Sequence, residues 1–555
     1  MIVLGCYWVS DITLHSTSAC IVKDGKLLAM INEDRITRIK LDSSPPRNSI
    51  KEVLRISKID PKDVDAVAIP VEGPFKAWIY HSTVEGDGIK KLRNFIGLPV
   101  FYFLRKYRLR KYLNTLGIDA PIYFVRHHIA HAAMAYYTSG MKNALIMSID
   151  GGGDAQSTTI KIGKGKEIID VTNVTPGGSI GGFYTKVTSE LGFKSGEEEG
   201  KVTGLAAYGK PLGIFDDVFK VKGLKVEGDY KAKRFESMKI SDGEFNLPRA
   251  VKYQGRVTGL LNKYKKEDIA ASAQATLEKV VVQLTKNTIR KLGMKDICLG
   301  GGVVLNVKMN KKIAELANQI AIPFEPSDVG TPVGAALYVN MLLGSFFPEK
   351  LEHSYFGTSY TQDEIDEVLE QWRLKYDEVN PSKAGAELVQ QGKVIGFFQG
   401  AMEAGPRSLG NRSCLALASD KNMRDRINTY LKNRDWFMPF APSCLDEKKD
   451  EYFYKARESP FMMLSFDVKN PEKIPAVIHV DNTSRPQTVK KETNPTYHKL
   501  IKNCGGIILN TSFNKHGEPI VRTPQDALMH LMRGNVEALI IGNKLVFHPN
   551  LKRKK

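Results

Sequence analysis

The same order of elements occurs twice in this chain, and a duplication restricts the fold more than any single motif. Residues 2–9 form an apolar run of strand character. The polar stretch His15-Ser16-Thr17-Ser18 follows, then a second run over 19–22, a Lys23-Asp24-Gly25-Lys26 turn and a third run over 27–31. Asp-Gly between two apolar runs is the usual signal of a tight hairpin. The pattern restarts near residue 144 with a run over 144–149, the loop Asp150-Gly151-Gly152-Gly153-Asp154, a run over 158–162, the turn Gly163-Lys164-Gly165 and a run over 168–171. Strand, polar loop and hairpin, met twice, predict two related α/β halves.

Further along, the run 297–299 leads into Gly300-Gly301-Gly302, a helical stretch over about 308–320, the loop Pro326-Ser327-Asp328-Val329-Gly330-Thr331 and a helix-like run over 333–343. Residues 344–358 (GSFFPEKLEHSYFGT) lack periodicity and mix Gly, Pro and aromatics, which places a domain boundary there. Helical spacing over 361–376 puts Ile365, Val368, Leu369 and Trp372 on one face and opens a second domain. The expected division is 1–350 and 356–555. A length of 555 residues allows three or four lobes at ~150 residues each.

Charge narrows the function classes without choosing one. Eighty Lys and Arg against 61 Asp and Glu give a formal charge of +19, in a chain that is 42% hydrophobic and 25% charged. That is a globular composition, which excludes a mainly disordered or collagen-like chain. No apolar run reaches the ~18 residues of a membrane span. The opening MIVLGCYWVSD lacks a basic stretch and meets Asp11 early, so no secretory signal is expected. Cys6, Cys20, Cys298, Cys414, Cys444 and Cys504 form no CxxC pair, which points away from a disulfide scaffold and toward a reducing, cytoplasmic setting. Segment 89–118 has no acidic residue but carries Lys90, Lys91, Arg93, Arg105, Lys106, Arg108, Arg110 and Lys111 among aromatic residues, and Lys552-Arg553-Lys554-Lys555 ends the chain. An RNA or acidic lipid surface would fit this segment, as would a solvated helix pair with one packed face.

The strongest local constellation is His127-His128-Ile129-Ala130-His131. A helix starting here and running to Tyr137, with Gly140 past its end, sets His127 and His131 one turn apart on one face. Two imidazoles so placed can share a metal, although two helix-terminal histidines with hydrogen-bond partners have the same spacing. Asp150 and Asp328 would add carboxylates, and two His with two Asp suit Fe, Mn or Zn. Glycines let backbone N–H groups approach phosphate, and three glycine loops lie at 151–153, 177–182 and 300–302. With the duplicated unit they resemble the actin-like ATPase architecture. The P-loop and Rossmann signatures are absent. In the second half, Arg407 and Arg412 of GAMEAGPRSLGNRS, Lys432 and Arg434 of KNRD, Arg485 of HVDNTSR, and Ser512 and Asn514 of LNTSFN would suit a phosphate site. Surface arginines in ordinary ion pairs would leave the same pattern. No G-x-S-x-G and no cysteine in a reactive context stands out.

Taken in order, HHIAHAAMAYY, SIDGGGD, EEGKVTGLAAYGKP, LGGGVVLNVKMN, GAMEAGPRSLGNRS, FMPFAP, HVDNTSRPQTV and LNTSFNKHGEPIVRTPQDAL resemble the nodulation- and antibiotic-type O-carbamoyltransferases, the NodU/CmcH family. The resemblance covers nearly the whole chain. It implies an α/β protein with a duplicated actin-like (ASKHA) N-terminal domain and a YrdC-like α/β C-terminal domain. The C-terminal domain would turn carbamoyl phosphate and ATP, with Mg²⁺, into carbamoyladenylate. The N-terminal domain would pass the carbamoyl group to the hydroxyl of a small-molecule acceptor. A homo-oligomer is compatible with it, and nucleic acid is not expected as the main partner.

Carried over by position, the resemblance implies a divalent metal (Fe, Mn or Zn) on His127, His131, Asp150 and Asp328. It makes His15 the base for the acceptor hydroxyl and Lys40 a stabiliser of oxyanion charge. Gly151, Gly152, Lys201, Gly204, Gly301 and Asn306 would lie along the nucleotide of the N-terminal domain. Arg407, Lys432, Arg434, Arg485, Ser512 and Asn514 would hold carbamoyl phosphate and ATP in the C-terminal domain. The chain departs from the family pattern at Ser16 and Thr17, at Asp154 in place of glutamate, at Met438 in place of arginine and at Asn482 in place of glycine. Two other readings are an actin-like sugar kinase, which would form ADP, and a basic protein that binds nucleic acid or an anionic surface.

Overall fold

A computed structural model describes residues 1–7, 16–71, 106–228, 257–344 and 349–548. His15, most of segment 89–118 and the basic tail fall outside the described residues. In the described part of that segment, 106–114 is helical, with Leu109 and Leu113 buried and Lys106 exposed.

The two halves legible in the sequence become two five-stranded sheets with one topology. Strands β1 (Ile2–Tyr7), β2 (Ser18–Lys23) and β3 (Lys26–Asn32) form an antiparallel meander. Two strands, β4 (Ala66–Ile69) and β5 (Ile122–Phe124), then join the other side of β1 in parallel, giving the order β3-β2-β1-β4-β5. The second sheet repeats this with β6 (Asn143–Gly153), β7 (Gln156–Lys164), β8 (Glu167–Val174), β11 (Asp296–Gly300) and β12 (Gln319–Ala321), in the order β8-β7-β6-β11-β12. The hairpin turns follow local chemistry. Asp24 and Gly25 both have positive φ, 48° and 79°, as a two-residue turn between twisted strands requires. The β9 (Phe219–Lys222) and β10 (Lys225–Gly228) hairpin and three helices, Ile180–Glu190, Glu199–Leu205 and Lys266–Leu292, are inserted between β8 and β11.

In each half a helix follows the fifth strand: His127–Tyr137 after β5 and Thr331–Leu343 after β12. These two helices pack on each other closely enough to need a glycine, since a Cβ on Gly334 would lie 1.8 Å from the Ala130 carbonyl oxygen. The His127–Tyr137 helix has the bounds that the sequence predicts. The helical stretch expected over 308–320 is shorter: it spans Val307–Ala314, and residues 319–321 instead form edge strand β12 beside β11. Likewise the 361–376 helix runs only over Gln362–Gln371, opened by a Thr361/Glu364 capping box, and Tyr376–Glu378 becomes strand β13. In both places a strand pairing takes the end of the apolar run away from the helix.

The rest of the chain builds a mixed eight-stranded sheet, β13-β22-β21-β14-β15-β20-β16-β19. Its strands are β13 (Tyr376–Glu378), β14 (Ile395–Phe398), β15 (Arg412–Ala416), β16 (Ala441–Leu445), β19 (Gln487–Val489), β20 (Ile507–Ser512), β21 (Ala538–Ile541) and β22 (Lys544–Phe547), while β17 (Phe466–Asp467) and β18 (Thr483–Ser484) pair separately. One hydrophobic core unites the His127–Tyr137 and Thr331–Leu343 helices with Ala404, Leu409, Phe461, Met462 and Met463 of this later part. All six cysteines are unpaired, and all but Cys504 are buried. Among the described residues no helix is long and apolar enough to cross a membrane.

Candidate active sites

The first site forms where the two halves meet. His127 and His131 project from the first turns of one helix, Asp150 lies near the end of β6, and Asp328 precedes the Thr331–Leu343 helix. Their donor atoms lie within 4.8 Å of one another. His127 Nε2 is 3.0 Å from His131 Nε2 and 3.2 Å from Asp150 Oδ2, while His131 Nε2 is 3.3 Å from Asp328 Oδ1. Each carboxylate is held by its other oxygen: Gly302 N–H donates to Asp150 Oδ1 (3.0 Å) and the Tyr7 hydroxyl to Asp328 Oδ2 (3.1 Å). One oxygen of each is thereby aimed at the imidazoles, the arrangement that a metal's outer partners usually produce.

Charge accounts for the titration behaviour here. Burial opposes the imidazolium of His127, but Asp328 and Asp150 outweigh it and hold the group well above the ordinary histidine value. Burial and Asp328 push Asp150 up, yet the hydrogen bond from His127 and both imidazoles hold its carboxyl below the usual range. Neighbouring His128 is driven the other way, to about 3, by burial and then by His127, and its neutral ring meets the Gln156 carbonyl oxygen at 3.1 Å.

The three glycine loops converge behind this cluster. A Cβ on Gly153 would lie 2.2 Å from the His127 ring, one on Gly181 would meet the Asp150 carbonyl, and one on Gly301 (φ +96°) would lie 2.2 Å from the Ile149 oxygen. Gly151 faces open space. Asp154 (φ +47°) turns the β6–β7 hairpin, and its Oδ2 accepts from the His127 N–H at 2.5 Å, capping a helix whose own preceding residue, Arg126, offers no side-chain cap. Lys201 lies farther out, paired with Glu198 (2.7 Å) and Asp435 (2.8 Å), and a Cβ on Gly204 would stand 3.1 Å from Met438 Sδ. Asn306 is committed locally: its Oδ1 caps the Val307–Ala314 helix, and its amide exchanges hydrogen bonds with Gln274.

The second site is built on loops of the eight-stranded sheet. The β14–β15 loop is braced from inside. Glu403 accepts from the N–H groups of Leu409 and Asn411 (2.7 and 2.8 Å), and fully buried Arg412 donates to the Thr358 and Gly400 carbonyls while stacking on Phe398. Arg412 is therefore structural, and Arg407 is the arginine that the loop displays. Arg434 stacks on Phe440 and donates to the Pro439 carbonyl at 3.0 Å. Burial and the charge of Arg407 lower Arg434 to about 10; burial, Arg407 and Arg434 lower Arg485 well below the ordinary guanidinium value. Three half-buried arginines thus lie near enough for their charges to act on one another.

Lys432 ends a π-helical turn, Asn428–Lys432, and its ammonium donates to the Ser512 carbonyl and hydroxyl and to both oxygens of Asn514. Burial, reinforced by Arg434 and Lys40, lowers Lys432 to about 7. Lys40, exposed in the N-terminal part, bears electrostatically on Lys432 and on His516. Its neighbour Arg38 grips the Pro519 and Ile520 carbonyls at 2.9 and 2.6 Å, so residues 38–40 are anchored beside this second site.

Comparison with known proteins decides the family. The Carbamoyltransferase N-terminus family model matches residues 8–337, and the Carbamoyltransferase C-terminus model matches 386–548. The chain belongs to the carbamoyltransferases. This carbamoyltransferase is 32% identical to nodulation protein NolNO of Sinorhizobium fredii, over 96% of this chain and 79% of that one. It is 33% identical to an uncharacterized protein of Methanocaldococcus jannaschii, over 96% of this chain and 98% of that one. Among solved structures, HypF of T. kodakarensis aligns with 62% of this chain and 47% of its own at 14% identity and a TM-score of 0.35. Sequence reasoning about the carbamoyltransferase missed Tyr7, Glu403 and Glu325. A carboxylate inside an apolar or glycine-rich motif, as in AMEAG and IPFEPSD, is the signal that marks the last two.

Proposed function

We propose that this carbamoyltransferase uses ATP and carbamoyl phosphate to carbamoylate the hydroxyl of a small acceptor, with the two steps divided between residues 1–350 and 356–555. The observation that carries the reading is the pairing, within one chain of this family, of a cluster built for a cation with a cluster built for anions. Arg407, Arg434, Arg485 and Lys432 would hold the phosphates of carbamoyl phosphate and ATP, with Ser512 and Asn514 orienting Lys432. Carbamoyl phosphate gives up its phosphate to water, an oxygen of the resulting carbamate attacks the α-phosphorus of ATP, and pyrophosphate leaves with its Mg²⁺. The product is carbamoyladenylate.

In the second step the acceptor hydroxyl attacks the carbamoyl carbon, its proton passes to His15, and AMP departs with the electrons of the broken C–O bond. His127, His131, Asp150 and Asp328 fit a divalent Fe, Mn or Zn ion by donor type and convergence, and such an ion would neutralise charge on the leaving phosphate. Gly151, Gly152 and Gly301 would let the nucleotide approach the backbone, with Lys201, Gly204 and Asn306 framing it; Lys40 would steady developing oxyanion charge. A labile adenylate favours an enclosed route.

The test needs no acceptor. Protein incubated with ATP, Mg²⁺ and carbamoyl phosphate should yield pyrophosphate and carbamoyladenylate by mass spectrometry. Absence of both refutes the first step, and ADP in their place favours a kinase.

A further inference from the structure

We infer that Glu325 is a positioning residue that links the two sites: anion binding at the arginine cluster shifts the loop of Gly405 and Arg407 that packs beside it and so resets the loop carrying Asp328. The inference rests on the anion and cation assignments proposed above. Glu325 is 2% exposed and lies between β12 and Asp328. Its Oε1 accepts from the Ser327 hydroxyl (2.5 Å) and N–H (3.3 Å), and Ser327 directly precedes Asp328. Its carbonyl also fixes the loop, because a Cβ on Gly330 would lie 2.0 Å from the Glu325 oxygen. Both ends of the carboxylate residue thus define the path of 325–330.

On its other side the arginine loop presses against the same place. A Cβ on Gly405 would stand 2.6 Å from the Phe324 carbonyl oxygen, and Arg35 Nη2 donates to the Gly405 carbonyl at 3.4 Å. Burial raises Glu325, and the two Ser327 hydrogen bonds, then the charges of Arg35 and Arg407, act against that rise. Glu325 is the carboxylate that opposes the burial of Arg407, whereas Arg485 meets only the charges of other arginines. The Nε atoms of Arg35 and Arg407 are buried and make no hydrogen bond in the structure. The charge of one carboxylate therefore bears on two guanidiniums from different parts of the chain, and Arg35 also has Asp34 at 4.0 Å. A phosphate or sulfate dianion at the cluster competes with it for Arg407. When the anion prevails, Glu325 is left to Arg35 and Ser327, and the strain falls on the loop that presents Asp328.

By linkage, an anion that changes cation affinity must itself be affected equally by the cation. The test measures Mn²⁺ binding to the full chain by electron paramagnetic resonance, with and without saturating sulfate. In the wild type sulfate should shift the Mn²⁺ dissociation constant about fivefold or more, the low end of ordinary coupling. Glu325→Gln, which keeps an acceptor for Ser327 but removes the charge, should still bind both ions, hold sulfate more tightly, and lose the shift. An equal shift in Glu325→Gln, or none in the wild type, overturns the link. Should Glu325→Gln fail to fold, Ser327→Ala takes its place: it keeps the charge and loses the hydroxyl bond, and an undiminished shift there is equally decisive against it. A wild type that makes pyrophosphate yet shows no sulfate effect would refute Glu325's role and leave the proposed function standing.

Discussion

The two clusters are opposites in how their charges are arranged. Around His127, each imidazole meets both carboxylates at 3.2 to 4.0 Å, and each carboxylate has a second partner that keeps it aimed inward. Around Arg485, like charges gather: Arg407 and Arg434 add to burial in lowering Arg485, and Arg407 does the same to Arg434. On the function proposed above, the first cluster gives up the His127 proton to take a cation, and the second takes an anion. A fold tolerates unbalanced guanidiniums where the surrounding structure over-determines them. Glu403 and Arg412, which spend their hydrogen bonds on the loop itself, supply that constraint.

The largest effects should separate the clusters outright. Arg485→Ala is expected to lower pyrophosphate formation by ~10²-fold or more, the scale of losing one preorganised charged donor. His131→Ala should leave that step within a few-fold of wild type and abolish transfer to an acceptor. Mass spectrometry of pyrophosphate and of carbamoylated product reads the two steps apart, and equal loss of pyrophosphate in both variants would defeat the division of labour. Gly153→Ala comes next. Its methyl would enter the His127 ring, so Mn²⁺ binding should be lost and stability should fall by about 1–3 kcal/mol, as for overpacking in a core. Calorimetry and metal titration check it, and tight Mn²⁺ binding in the variant would show that the ring has room to move.

A milder, pH-dependent contrast follows from the titrating groups. Lys432, lowered to about 7 by burial, is charged below that pH and neutral above it. Anion affinity should therefore be full on the acid side and decline as pH rises through 7, by up to ~10-fold for the loss of one charge-assisted bond. Sulfate is the suitable probe because its own charge does not change there. His127, held high, gives the opposite slope for cations: Mn²⁺ must displace its proton, so cation affinity should rise with pH. A parallel slope for both ions would mean that neither group governs its site.

How much of this was legible depends on whether the signal was local. The His127–Tyr137 helix carries its own period, and the Asp24-Gly25 turn carries its own backbone requirement, so both could be read directly. The His127–His131 spacing also announced itself. Its partners did not: Tyr7, Gly302 and Asp154 reach the cluster only because the two sheets repeat one topology and bring distant strand ends together. Residues 319 and 320 read as the end of a helix because nothing in a short apolar run says that a parallel partner, β11, waits beside it. Arg407 and Arg412 sit five residues apart in one motif with the same chemistry on paper. Only burial distinguishes the brace from the arginine on display.

The smallest expected effect bears on whether the cation cluster is fixed by the fold before any ion arrives. Asp154 caps the His127–Tyr137 helix across the hairpin, so Asp154→Ala removes an acceptor from an N–H that the helix cannot satisfy itself. It should cost about 1 kcal/mol, in the range of an ordinary helix cap. Asp154→Asn keeps an acceptor oxygen and tolerates the left-handed backbone at φ +47°, so its cost should be smaller. Thermal unfolding of the two variants measures the cap, and Mn²⁺ affinity measures its consequence for His127. If the alanine variant loses stability and Mn²⁺ affinity together while the asparagine variant restores both, the cap positions the ligand. If stability falls and affinity holds, His127 is positioned by Gly153 and the carboxylates alone, and the preorganisation ascribed to the cluster lies entirely within its own side chains.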